Sequence, residues 1–229
     1  MNNTKCKEYL VNSRAEILTY IQDVVQNNDF NYRTFGTEIE GYVTDKLVEI
    51  FSRGGFIKSE IDYKVASNKN EFPDFTVNCA GAPFAIEIKS GNHSKMSRKK
   101  WSTCNNSNND MGTLNVWQDK LDKFGGENIY YLFIEYNFND REERVFDVKV
   151  GPFYTFLGLN KQGLLKYREK DGNLRPKDFD AISPINSLQQ FQNLFGRTII
   201  FRSKRIIKKH WKELPNEEKE ILLNELKNT

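Results

Sequence analysis

Apolar residues recur along this chain with two different periods, and the alternation between them predicts an α/β fold. From Arg14 to Asn27, the residues Ile17, Ile21, Val24 and Val25 share one side of a helix, with Ser13 as N-cap and Asn27-Asn28-Asp29 as its end. A second helix is expected from Thr37, its cap, to about Arg53, burying Ile39, Val43, Leu47 and Ile50 and stopping at Gly54-Gly55. The period then shortens. Residues 61–66 read as a short strand, followed by the polar loop Ser67-Asn68-Lys69-Asn70. Residues 75–79 and 84–90 read as two strands joined by Ala80-Gly81-Ala82-Pro83, a hairpin-length connection of turn-forming residues. Thr113 is expected to cap a helix through about Phe124, and residues 129–138 and 144–150 to form another hairpin around Asn139-Asp140-Arg141-Glu142.

Other stretches carry no such period. Residues 91–110 are polar and Asn-rich and read as a mobile loop. Residues 151–184 scatter Gly and Pro among Lys and Arg and read as a loop-rich insert. Ser187 opens a short helix, and residues 197–212 open another that carries Arg197, Arg202, Lys204, Arg205, Lys208, Lys209 and Lys212 without an acid. Pro215 suits the first turn of a last helix, where Glu217 and Glu218 complement the dipole and Ile221, Leu222 and Leu226 would pack inward. The expected architecture is a central mixed β-sheet flanked by helices, with the loop-rich insert towards the C-terminus. One domain should span residues 1–229, its core at about 37–150 and its insert and C-terminal helices at about 151–229.

Composition narrows the class. Hydrophobic residues make up 38% of the chain, enough for an ordered core rather than a disordered tail. No run approaches the ~20 apolar residues of a membrane span, and the first residues lack the apolar core of a secretory signal, so a cytoplasmic protein without membrane contact is expected. Cys6, Cys79 and Cys104 are scattered, with no CxxC pair or His cluster for zinc, and read as free thiols. A net charge of +3 does not by itself argue for a nucleic-acid partner; the placement of the charges has to.

The chemistry concentrates in FAIEIKS. Side chains alternate along a strand, so Phe84, Ile86 and Ile88 face one way and Ala85, Glu87 and Lys89 the other. A carboxylate and an ammonium on an otherwise apolar strand cost free energy unless each is paired or metal-bound. If the hairpin turns on Ala80 and Gly81, Asp74 falls directly opposite Glu87, at ~5 Å. Two facing carboxylates repel, and an oxygen-seeking divalent ion reverses the sign. Mg²⁺ fits: Asp74 and Glu87 would be ligands, the Ile88 carbonyl a further one, water and a phosphate oxygen the rest, with Lys89 beside the attacking water. His93 and His210 lie in no ligand-spaced cluster.

FPDF followed by AIEIK resembles the PD-(D/E)xK nuclease superfamily, and over residues 37–90 the order and texture are similar to type II restriction endonucleases of the EcoRV-like branch. The resemblance implies a restriction-endonuclease-like core that cuts double-stranded DNA at a specific sequence. Metal-activated water would attack in line and leave a 5′-phosphate and a 3′-hydroxyl, with one or two metals. It also implies a supporting Glu on the preceding helix. Glu40 fits this role better than Glu38, because it stands three and seven residues before Val43 and Leu47, beside the buried stripe.

Lys95, Arg98, Lys99 and Lys100 follow the catalytic strand directly and are expected to contact DNA phosphate. Candidates for reading bases are Asn105 and Asn106 in the Asn-rich loop, and Asn160, Gln162, Arg168, Asn173 and Arg175 in the insert. Residues 197–212 have two readings: a solvated helix face whose Ile199, Ile200, Ile206, Ile207 and Trp211 pack on the core, or a phosphate-contacting surface. Trp101 and Trp117 are expected in the core or an interface. A symmetric duplex site is matched most simply by a homodimer, and a restriction system implies a cognate DNA methyltransferase encoded separately. A repair nickase, a junction resolvase or a non-catalytic DNA-binding module on the same core are the alternatives. A small-molecule hydrolase is remote, since there is no nucleophile elbow and no glycine-rich phosphate loop.

Overall fold

The computed structural model describes residues 3–31, 34–68, 71–79, 82–92, 110–139, 142–177 and 181–227. Five strands form one sheet in chain order: β1 (Tyr63–Val65), β2 (Phe75–Cys79), β3 (Ala82–Asn92), β4 (Ile129–Asn139) and β5 (Glu142–Pro152). The pair β3–β4 is parallel and every other pair antiparallel, so the sheet is mixed as expected. The parallel step needs a crossover, which residues 93–128 supply. Its described part carries a 3-10 turn (Leu114–Val116), the helix α4 (Trp117–Phe124) and a second 3-10 turn (Gly126–Asn128). Thr113 precedes the first of these turns but makes no side-chain cap.

Alternation along β3 sorts its side chains between two apolar layers. Phe84, Ile86 and Ile88 join a core built with α1 (Asn3–Asn12), α2 (Arg14–Asn27) and α3 (Phe35–Arg53). Ala85 joins a second core on the opposite face, made by α4, residues 153–185 and the first half of α5 (Leu188–Trp211). Trp117, fully buried there, stacks on Phe153 at 4.4 Å. The expected stripes of α2 and α3 are buried, α3 adding Phe35, Thr44 and Phe51.

Several expectations are corrected. Helix α1 precedes the first helix read from the pattern, and Ser13 between them donates to the Tyr9 carbonyl rather than capping α2. Helix α3 starts two residues before Thr37, at Phe35, with the chain turning at Thr34. The two helices expected from Ser187 onward are one. Ser187 caps it by accepting from the Gln190 N–H, and Gly196 passes through its interior without a break. Beyond its first half α5 leaves the core: Ile199, Ile200, Ile206 and Ile207 are exposed rather than packed, and so is Ile221 of α6 (Asn216–Lys227). The Leu226 side chain and Trp101 lie outside the described residues. Cys6 and Cys79 are not free thiols but are joined as a disulfide, their Cα atoms 6.6 Å apart. Alternation points Cys79 into the layer that α1 covers, a proximity across 73 residues of sequence. Cys104 lies outside the described residues. No helix among those residues is long and apolar enough to cross a membrane.

Candidate functional site

The hairpin β2–β3 has the register that a turn on residues 80 and 81 demands: Phe75 pairs with Ile86 and Cys79 with Ala82. One step beyond Phe75, Asp74 therefore faces Glu87. Both are 7% exposed. The Ile88 N–H donates to Asp74 Oδ2 at 2.6 Å, which fixes the carboxylate against β3. Lys89 Nζ lies 2.6 Å from Glu87 Oε1, so two groups on the same face of β3 close into an ion pair. The other carboxylate oxygen, Glu87 Oε2, is buried and has no hydrogen-bond partner among the described residues.

Glu40 reaches the same centre. Its carboxyl shares a hydrogen bond with Asp74, while Glu38 stays exposed and accepts from the Thr34 hydroxyl. Of the two acids, Glu40 is the one the structure brings beside Asp74. On β4, Tyr131 is the register partner of Glu87, and its hydroxyl donates to the Met111 carbonyl at 3.3 Å.

Burial and crowding set the protonation. Desolvation, then Glu87 and Glu40, push Asp74 up to about 8, while Lys89 and the Ile88 N–H pull the other way. Desolvation likewise raises Glu40, with Lys89 and Asp74 opposing. Burial would lower Lys89, but Glu87 and Asp74 outweigh it and hold the ammonium above the ordinary lysine value. Tyr131 is driven well above 10 by burial and then by the two carboxylates.

This arrangement of strands and helices is similar to that of a solved structure, the NlaIV restriction endonuclease, at 17% identity and a TM-score of 0.53, over 81% of this chain and 72% of that one. The fold is that of a restriction endonuclease. No family model and no curated protein matches the chain.

Within this restriction-endonuclease-like fold the remaining candidates are dispersed. Lys95, Arg98, Lys99, Lys100, Asn105, Asn106 and His93 lie outside the described residues. In the insert, Asn160 Oδ1 accepts from the N–H groups of Gln162 and Leu164, making a turn. Arg168 pairs with Asp171 at 2.5 Å and Asp110 at 2.7 Å, and Arg175 pairs with Asp110. Asn173 forms an isolated bridge with Thr113. Arg168 and Arg175 are brought together by Asp110, and their charges are balanced locally. Among the described residues no group of three or more His, Cys, Asp or Glu side chains is arranged as a metal-holding cluster.

Two features were not read from the sequence. Lys120 of α4 lies within the field of Glu87, Lys89 and Asp74, and Glu135 of β4, 5% exposed, pairs with Lys149 of β5. The second had a signal in part: Glu135 follows the apolar run of residues 129–134 in β4, as Glu87 follows Phe84, Ala85 and Ile86 in β3.

Proposed function

We propose that this chain is a Mg²⁺-dependent endonuclease that hydrolyses phosphodiester bonds of double-stranded DNA at a specific sequence, as a type II restriction enzyme of the EcoRV-like branch. One observation carries the reading: Asp74 and Glu87 are buried face to face, with Glu87 Oε2 lacking a hydrogen-bond partner among the described residues, on a restriction-endonuclease fold. A bare carboxylate oxygen so placed costs free energy, and a hard cation removes that cost. The residues fit such an ion: carboxylate oxygens from Asp74 and Glu87 would hold it, with the neighbouring Ile88 carbonyl. When bound it would lower the pKa of water and neutralise charge developing on the phosphate.

The chain's own groups complete the site. The Ile88 N–H orients Asp74, and Glu40, bonded to Asp74, supports it from α3. Lys89, held protonated, would position the attacking water and stabilise the phosphate oxygens, leaving a 5′-phosphate and a 3′-hydroxyl. DNA contacts are proposed for Lys95, Arg98, Lys99 and Lys100 and for Asn105 and Asn106, and base contacts for Asn160, Gln162, Arg168, Asn173 and Arg175. A homodimer would match a two-fold duplex site, with a separately encoded methyltransferase protecting it.

The test is to incubate the protein with Mg²⁺ and a large duplex DNA beside Asp74→Ala and Lys89→Ala. Discrete fragments from the wild type, absent with both variants, are expected. A smear would remove the claim of sequence specificity, nicked circles that of double-strand cutting, and cleavage unchanged in Asp74→Ala the assignment of the site.

A further inference from the structure

The nuclease reading leaves Lys120 without a role, although its environment calls for one. Its ammonium lies 3.6 Å from the centroid of the Phe72 ring and 5.0 Å from that of Trp117. Phe72 stands two residues before Asp74. The Trp117 indole N–H and the Tyr131 hydroxyl both donate to the Met111 carbonyl, at 3.0 and 3.3 Å. A Cβ on the adjacent Gly112 would stand 3.0 Å from Lys120 Nζ. Since Tyr131 is the register partner of Glu87, this series of neighbours places the ammonium on the catalytic face of the sheet. Burial draws Lys120 down to about 8, with Glu87 and Asp74 opposing and Lys89 adding to the fall, which locates it in the same field.

Among the described residues Lys120 makes neither an ion pair nor a hydrogen bond; its neighbours are the two aromatic faces. A half-buried cation without a counterion is costly, and ring faces return only about 0.5–2 kcal/mol. Lys89, in contrast, is already engaged by Glu87.

We propose that Lys120 is a second cationic group of the centre, binding a non-bridging oxygen of the DNA phosphate that is cut. This rests on the nuclease reading. The phosphate brings the negative charge the ammonium lacks, and the small Gly112 keeps room beside it. Phe72 and Trp117 fix the lysine stem, so its head is placed before DNA arrives.

The test compares Lys120→Met, which keeps a stem to pack on both rings, with Lys120→Arg, which keeps the charge. Duplex binding is titrated against salt in EDTA, where nothing is cut, and single-turnover cleavage is followed with Mg²⁺. With one phosphate fewer neutralised, the slope of log affinity on log salt should be shallower by about 0.9 in Lys120→Met. Cleavage should fall by about 10²–10³-fold, as when other charge-stabilising donors are removed, with Lys120→Arg restoring most of both. A packing role would move the melting temperature and leave the slope alone. If Lys120→Met does not fold, Lys120→Gln is judged by the same two numbers. Wild-type cleavage with an unchanged slope, and a rate within about twofold in the uncharged variant, would overturn the inference alone. A wild type that neither binds nor cuts duplex DNA would overturn the nuclease reading and this inference with it.

Discussion

A carboxyl group that is 7% exposed, faces Glu87 and is bonded to Glu40 costs more to ionise than the same group in water, which is why Asp74 titrates near 8. The sign for stability follows. The folded pKa lies above the unfolded value of about 3.9, so the stabilisation from Asp74 is complete below that value and is lost as pH rises towards 8. Lys120 works in another window: its folded pKa, near 8, lies below the unfolded one, so stability returns only as pH climbs above 8. The metal-free protein should therefore lose melting temperature steadily between about pH 5 and pH 7.5 on account of Asp74. Asp74→Asn, which keeps an oxygen for the Ile88 N–H and removes the charge, should flatten that slope and raise the melting temperature at pH 7.5. Each kcal/mol relieved is worth about 2–4 °C in a chain of this size. The same variant should be inactive. A calorimetric scan showing Asp74→Asn to be no more stable than the wild type would mean that the carboxylate is not buried against its neighbours. The residues that set this up were legible in sequence for a geometric reason: side chains alternate along a strand and a two-residue turn fixes what lies opposite. Lys120 was not legible, because its place depends on how α4 packs over β3, which no local period encodes.

Elements whose burial is even along their length were read closely, and those half in the core were not. α3 buries a stripe from Phe35 to Phe51, and the apolar pattern located it to within two residues at its start. α5 is buried only in its first half, at Phe191, Leu194, Phe195 and Thr198, while its second half combines exposed isoleucines with a run of basic residues, so the two halves looked like separate helices. Gly196 lies inside this helix, and nothing lies within 4 Å of where its Cβ would be. Gly196→Ala should therefore stabilise the protein by about 0.5–1 kcal/mol, because a helix-interior glycine forfeits backbone entropy and here no neighbour resists the methyl. Gly158 has the opposite setting. A Cβ there would stand 2.9 Å from the Pro176 carbonyl oxygen and 3.2 Å from Lys177 backbone atoms, so Gly158→Ala should destabilise. Urea titrations of the two variants should move in opposite directions. A fall in midpoint for Gly196→Ala would show that α5 is broken there. The Cys6–Cys79 link belongs to the same scale: it joins α1 to the end of β2, two elements far apart in sequence, and a scattered odd number of cysteines gives no sign of the pairing.

The two faces of the sheet divide the molecule's labour. α1, α2 and α3 cover one face; Glu87, Lys89 and Lys120 stand on the other, under a layer made by α4, residues 153–185 and α5. A duplex that reaches Glu87 must therefore come past that layer, and α5 continues out of it as a solvated helix. Of the two readings open for residues 197–212, the one that needs Ile199, Ile200, Ile206 and Ile207 in the core is removed, since all four are exposed. Lys204, Lys208 and Lys209 have no acidic partner among the described residues, whereas Arg205 is paired with Glu169 and His210 with Glu213. On the proposed nuclease reading this side faces the incoming duplex, and unbalanced positive charge there would supply affinity without sequence information. Replacing Lys204, Lys208 and Lys209 together by Gln should weaken binding to cognate and random duplexes alike. The salt slope should drop by about 0.9 for each phosphate no longer neutralised, while the thermal melt stays where it was. Cleavage at saturating protein should then be unchanged, because the acids and Lys89 are untouched. An unaltered salt slope would return this helix to the status of a solvated surface, and a weakening confined to the cognate sequence would instead make it a reader of bases.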